Sequence, residues 1–115
     1  ISPEIIYQIE GLNTKDKFTI DGYIFKKDFY KNNSNKISII LEGKNNCYEI
    51  TTKKIYNQTP TLIYNTNLNF TSFRTIINLK RLANDNYKIY IHIKNRLADT
   101  DEIYNLNKKI EMKGE

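Results

Sequence analysis

Side chains that could carry out chemistry are few in this sequence. His92 is the only histidine and Cys47 the only cysteine, and neither has a sequence neighbour that would act as its base or lower its pKa. The stretch ADTDE holds Asp99, Asp101 and Glu102, whose spacing can wrap a hard cation, but it lacks the glycine and the distal glutamate of an EF-hand loop. We therefore predict a surface histidine, an inert thiol and a solvated turn, with no catalytic residue, cofactor site or metal site.

Aromatic side chains give the remaining chemical signal, with nine Tyr and five Phe in the chain. Those that fall outside the clearest core faces of the strands are Tyr23, Phe25, Tyr30, Tyr56 and Tyr90. A tyrosine offers a flat apolar plate with a hydroxyl at its edge, so it can stack against a sugar ring or a base. Tyr90 and His92, with Tyr23 as a neighbour, form the candidate surface for a neighbouring domain of the parent chain or for a glycan. The alternative is that a loop of this chain covers them and the rings serve packing.

The strand that carries Tyr90 and His92 shows how they are positioned. One face of NYKIYIHIKN, residues 86–95, holds the apolar members of a period-two alternation, which are Tyr87, Ile89, Ile91 and Ile93. The opposite face holds Lys88, Tyr90, His92 and Lys94. The first face is predicted to be core, and the second is predicted to point outward.

Six further segments alternate in the same way and predict strands. They are EIIYQIEG, KFTIDGYIFK, KISIILEG, NCYEITTKKI, SFRTIINL and IYNLNKKIEM, and TLIY is a candidate eighth strand. Turn-forming Asn, Asp, Gly and Pro residues separate them. Strands at this spacing are typical of a sandwich or a small barrel.

One connection refines the architecture. The segment NLKRLANDN, residues 78–86, can hold a short helical turn, and Tyr87 directly after it resembles the tyrosine of a tyrosine corner, whose hydroxyl bonds back to the connection. We therefore predict an all-β, Ig-like antiparallel β-sandwich of seven or eight strands. No repeat or linker divides the chain, so residues 1–115 are predicted to form one domain, and the start at Ile1 rather than Met suggests a fragment of a longer protein.

Composition limits what the positive charge means. The net charge is +5 and the pI about 9.2, which would favour an anionic partner. However, Ile, Asn, Lys and Tyr are abundant while Val and Trp are absent, as in a genome rich in A and T, so we interpret the excess of Lys as compositional. Single-stranded nucleic acid is therefore the alternative partner, read by Tyr90, His92 and Lys94 on a small barrel, although such a barrel has five strands. No apolar run reaches the ~18 residues that span a bilayer.

Three stretches in order resemble a known type of region. They are IEG followed by FTIDGYIF, then KISIILEGKNNCYEITTKK, and then NFTSFRTIINLKRLANDNYKIYIHIKN. Between residues 5 and 95 the chain resembles the accessory β-sandwich region of cell-surface polysaccharide and teichoic-acid synthesis proteins, and of related membrane-attached envelope proteins, in low-GC Gram-positive bacteria. Ser72 stands where that region usually has a Gly before the Phe.

The resemblance implies a non-catalytic accessory module beside a glycan-handling or membrane-embedded enzyme. The module would lie outside the cytoplasm or be associated with the membrane through its parent protein, with a cytoplasmic location as the alternative. The resemblance assigns no catalytic residue, and a small hydrolase or metal enzyme is disfavoured because no acid–base pair or ligand set is visible in the sequence.

Overall fold

Eight β-strands and one short helix make up the part of the chain that the structure describes. A computed structural model covers the backbone from residue 4 to residue 111 and the side chains as far as residue 107. The strands are β1 (Ile5–Thr14), β2 (Lys17–Lys26), β3 (Lys36–Glu42), β4 (Cys47–Thr51), β5 (Lys53–Ile55), β6 (Ser72–Asn78), β7 (Asn86–Asn95) and β8 (Thr100–Glu111). The helix α1 (Thr59–Tyr64) lies between β5 and β6, and 3-10 helices occupy Asn32–Ser34 and Leu79–Arg81.

The strands form two antiparallel four-stranded sheets that enclose a common core. The first sheet has the order β1-β2-β6-β5 and the second has the order β4-β3-β7-β8. This is the strand arrangement of an Ig-like sandwich, in which β4 adds an edge strand beside β3. The prediction of an all-β sandwich is confirmed.

The core between the sheets consists mainly of isoleucine. The first sheet contributes Ile9, Ile20, Ile24, Phe73 and Ile77, and the second contributes Ile37, Ile39, Leu41, Tyr87, Ile89, Ile91, Ile93 and Leu106. The inward face of β7 is therefore the one that its alternation predicts. At Gly22, which has a φ of +151°, a Cβ would lie 2.0 Å from the carbonyl oxygen of Gln8, so β1 can approach β2 there only because the residue is glycine.

Tyr87 forms the predicted tyrosine corner. Its ring is fully buried and its hydroxyl donates a hydrogen bond of 2.5 Å to the carbonyl oxygen of Ala83. The ring of Tyr48 packs against it edge-on at 5.8 Å between centroids, and the Tyr48 hydroxyl accepts a hydrogen bond from the Ala83 amide at 3.0 Å. The predicted helical turn is the 3-10 helix Leu79–Arg81, so both features of this connection agree with the prediction.

Two local predictions are wrong. The segment NCYEITTKKI is two strands, because the chain leaves the second sheet at Thr52 and enters the first, and the Thr52 hydroxyl donates to the carbonyl oxygen of Ile37 at 2.7 Å. The segment TLIY belongs to the helix α1. Pro60 stands in the first turn of that helix, where its missing N–H needs no partner, and Asn65 ends the helix in the left-handed conformation. The eighth strand thus comes from the division of one predicted strand.

Candidate functional site

Tyr90 and His92 lie on the outer face of the second sheet, as the alternation in β7 predicts. Tyr90 is partly exposed, and its hydroxyl lies 3.5 Å from Glu42 Oε1. His92 is only 7% exposed, so the prediction of a surface histidine is wrong. The reason is that β7 is an inner strand of its sheet, and the carboxylates of Glu49 and Asp101 close over the imidazole from β4 and β8.

The imidazole of His92 is held between these two carboxylates. Its Nδ1 lies 2.7 Å from Glu49 Oε2, and its Nε2 lies 2.5 Å from Asp101 Oδ1. Burial by itself lowers the pKa of His92, but the hydrogen bonds with Asp101 and Glu49 raise it, and the net shift is upward. The hydrogen bond from Ser38 and then that from His92 lower the pKa of Glu49. The pKa shifts of His92 and Glu49 therefore both favour a protonated imidazole beside an ionised carboxylate, in which each ring N–H donates to a carboxylate oxygen.

This group of side chains is not arranged for nucleophilic catalysis, although it contains a serine, a histidine and two carboxylates. The Ser38 hydroxyl donates to Glu49 Oε2 at 2.5 Å rather than to His92. Both ring nitrogens face carboxylates, so neither is placed to accept the proton of the serine. The arrangement instead joins β3, β4, β7 and β8 on their outer face, and its strength depends on the protonation of one imidazole.

Tyr23 is far from this group, because β2 belongs to the first sheet. It lies on the outer face of that sheet and is only 6% exposed. Its hydroxyl lies 3.3 Å from the Tyr64 hydroxyl and 3.4 Å from Gln8 Oε1, so α1 and the neighbouring strand cover it. The expectation that Tyr23 is a neighbour of Tyr90 is therefore wrong, since the outer faces of the two sheets point in opposite directions. The binding of a partner or a glycan by Tyr90 stays a prediction.

The cysteine and the carboxylates of ADTDE, which the sequence also offers as reactive groups, do not form a common site. Cys47 is exposed at the start of β4. Asp99 lies in the turn after β7, but Asp101 and Glu102 belong to β8, where Asp101 reaches His92 and Glu102 reaches Lys26 on the other side of the sheet. ADTDE is therefore not one solvated turn. Within the described part of the chain, no group of three or more His, Cys, Asp or Glu is arranged to hold a metal ion.

A cleft lies at the end of the sandwich where β2 leaves the first sheet, and we call it the end cleft. Its volume is about 600 Å³, which lies in the range of roughly 300–1,000 Å³ that is usual for small-ligand sites. The walls come from Ile6, from residues 25–30, 32 and 33, and from residues 64 and 66–68. The connection between β2 and β3 thus faces the segment that comes after α1 across the cleft.

Two adjacent asparagines hold the walls of the end cleft in place. The buried Asn32 accepts a hydrogen bond from the Lys26 amide at 2.8 Å, and its Nδ2 donates to the carbonyl oxygens of Lys26 and Phe29, each at 2.8 Å. Asn33 reaches the opposite wall, where its Nδ2 donates to the Asn67 carbonyl oxygen at 3.0 Å and its Oδ1 accepts from the Phe70 amide at 2.9 Å. The two walls are therefore joined by side-chain hydrogen bonds and do not depend on a ligand for their shape.

A buried lysine forms part of the same wall. Lys26 is only 3% exposed, and its ammonium is paired with Glu102 and lies 4.5 Å from the centre of the Phe29 ring. The Tyr104 hydroxyl donates to the second oxygen of Glu102 at 2.5 Å. Burial raises the pKa of Glu102, but the hydrogen bonds from Lys26 and Tyr104 lower it, and the net shift is downward. The charge of Lys26 is thus neutralised inside the protein and is not offered to a ligand.

The rim of the end cleft carries a tyrosine that the fold leaves open. Tyr30 is 84% exposed, with Phe29 edge-on at 5.9 Å between ring centroids and the Lys31 ammonium 4.8 Å from its ring centre. Asp28, two residues earlier, has a φ of +59°, a left-handed conformation that Asp tolerates better than most residues. Sequence reasoning placed Tyr30 outside the core faces but did not identify the cleft. The signal was the run FKKDFYKNN, which spans the end of β2 and the connection after it and in which aromatic and polar residues are mixed.

Comparisons with known proteins do not extend these observations. None of the protein-family models, curated proteins and solved structures compared with this chain matches it. No helix among the described residues is long and apolar enough to cross a membrane. A functional assignment therefore depends on the geometry and chemistry of the chain itself.

Proposed function

We propose that this domain is a non-catalytic binding module of a larger bacterial envelope protein and that it binds its partner through the end cleft. The observation that carries the proposal is the combination of a preformed cleft of about 600 Å³ with the open ring of Tyr30 at its rim. A ring that is 84% exposed buries little apolar area within the folded chain. Its apolar surface is therefore left for a ligand to cover.

The assignment as non-catalytic is supported by the state of the titratable groups. The buried lysine at the cleft is paired with Glu102. The histidine lies on the other sheet, with both ring nitrogens engaged. Nucleophilic and acid–base catalysis need a group whose reactive atom faces the substrate, and neither residue supplies one. Lys27 and Asp28 also line the cleft, but both are exposed and lack the burial that tunes an acid–base group. The envelope assignment is supported by the resemblance to accessory regions of low-GC Gram-positive envelope proteins.

Sedimentation with envelope material tests the proposal. The purified domain is mixed with a cell-wall preparation from a low-GC Gram-positive bacterium, and the bound fraction is measured after centrifugation. We expect saturable binding that weakens by about 5- to 150-fold in Tyr30→Ala, because stacking on one aromatic ring contributes roughly 1–3 kcal/mol. The matched control is Tyr56→Ala, which removes another exposed tyrosine that does not line the cleft. An absence of binding, or equal loss in both variants, would contradict the proposal.

A further inference from the structure

We infer that the ligand of the end cleft is a neutral glycan segment with vicinal hydroxyl groups, an inference that rests on the proposed binding function and names the ligand class. A sugar ring presents C–H groups on its faces and hydroxyl groups around its edge. A site for it therefore needs an aromatic plate beside several polar groups that can both donate and accept hydrogen bonds.

The aromatic plate is available at the rim. The Lys31 ammonium lies over the ring of Tyr30, and Phe29 meets that ring edge-on. Tyr30 nevertheless stays 84% exposed, so these two contacts leave most of its surface open. On the opposite wall, Tyr64 packs against Phe25 at 4.9 Å between centroids, which provides an apolar floor.

Unpaired polar groups line the same cleft. Lys27, Asp28 and Thr66 are among its lining residues, and none of their side chains forms a hydrogen bond or an ion pair with another described residue. Asn67 uses its Oδ1 to accept from the Asn69 amide at 3.3 Å, which leaves its Nδ2 as a donor. The cleft therefore offers a carboxylate that can accept from two neighbouring hydroxyls, together with three kinds of donor.

The charge of the lining favours a neutral ligand over a polyanion. Lys27 and Asp28 are adjacent and of opposite sign, and the third charged lining residue, Lys26, is neutralised by Glu102. Binding to a phosphate backbone depends on several cations that are free to pair with phosphates. The end cleft offers Lys27 in its lining and Lys31 over the Tyr30 ring, with the Asp28 carboxylate beside them. Two cations next to an anion do not match a run of phosphates, so nucleic acid and other phosphate-rich polymers are disfavoured as its ligand.

The experiment divides the cell-wall preparation into three portions. One portion is untreated, one is oxidised with periodate, which cleaves vicinal diols, and one is digested with protease. We expect the domain to bind the untreated and the digested portions and to lose at least about tenfold in affinity for the oxidised one. Asp28→Asn is expected to weaken binding to the untreated portion, because it removes the charged acceptor.

The matched control for that variant is Asp99→Asn, because Asp99 is also exposed and has a similar left-handed conformation, with a φ of +54°. Asp99→Asn is expected to bind like the unsubstituted domain. Binding that survives periodate, whether or not it survives protease, would overturn the glycan inference and leave the binding function standing. An absence of binding to the untreated portion would overturn the proposed function and the inference with it. Equal binding by Asp28→Asn and Asp99→Asn would also overturn the inference.

Discussion

His92 makes the stability of this domain depend on pH through two specific contacts. Glu49 and Asp101 approach its ring from two other strands, and the pKa of His92 rises in the folded protein. A group whose folded pKa is raised stabilises the fold fully below its unfolded pKa, which is about 6.5 for histidine. That contribution is lost as the pH rises through the raised value, because the neutral imidazole has only one N–H to donate.

The first prediction rests on that sign. The free energy of unfolding should fall as the pH rises from about 6 to about 8.5, and this fall should be much smaller in His92→Gln. Urea denaturation of both proteins at several pH values measures it. The lowered pKa of Glu49 affects stability only in acid, because its contribution is lost as the pH falls through that lowered value. It therefore does not affect the comparison between about pH 6 and about pH 8.5. A pH dependence that is the same in both proteins would show that the group has no such role.

At the level of elements, hydrogen bonds to one carboxylate hold the turn between β3 and β4 against the start of β7. Asp85 accepts hydrogen bonds from the amides of Asn45 at 2.9 Å and Lys44 at 3.1 Å, which ties the turn between β3 and β4 to the start of β7. The Asn45 hydrogen bond is the largest of the effects that lower the pKa of Asp85, which falls to about 2. A Cβ on Gly43 would lie 2.3 Å from Asp85 Oδ2, so a larger residue there would require the Asp85 carboxylate to move.

The second prediction concerns the two faces of β7. Ile91 is fully buried between the sheets and Lys88 is exposed on the outer face. Ile91→Ala should lower the free energy of unfolding by about 2–5 kcal/mol, because it leaves a cavity in a closely packed core. Lys88→Ala should change it by less than about 0.5 kcal/mol. Chemical denaturation of the two variants compares them directly, and similar midpoints would contradict the assignment of a core face and an outer face to β7.

At the scale of the whole molecule, several cations are paired with carboxylates, either between the two sheets or on one of them. Arg74 lies 3.4 Å from Asp21 and Lys80 lies 3.5 Å from Asp16, both as exposed pairs, while Lys26 is paired inside the sandwich. Exposed pairs contribute little to stability, but they reduce the number of cations that are free to meet phosphates. A net charge of +5 therefore does not by itself define a nucleic-acid surface.

The third prediction tests that statement. Affinity for a thymidine oligonucleotide should be weak at low ionic strength and should vanish at physiological salt, since few phosphates would be neutralised. Titrations at two salt concentrations measure it. Affinity that persists at physiological salt, with a steep dependence of log K on log salt, would favour the nucleic-acid alternative over the glycan-binding module.

The sequence by itself determined the all-β class, the inward face of β7 and the tyrosine corner at Tyr87. These features arise from local patterns, because the period-two alternation states which side of a strand is apolar and a turn followed by tyrosine marks the corner. The same reasoning did not detect the division at Thr52 or the helix at TLIY, since short apolar segments are ambiguous without their tertiary neighbours.

Only the tertiary structure decided which strands share a sheet, and with that decision it settled which side chains meet. Glu49 meets His92 from 43 positions away in sequence, and Tyr23 lies on the opposite side of the molecule from Tyr90 although both alternate outward. The end cleft needs residues 25–33 and 64–68 to face each other. Strand pairing is non-local and is set by burying both apolar faces at once, so local periodicity could place each side chain on a face but could not say what would lie against it.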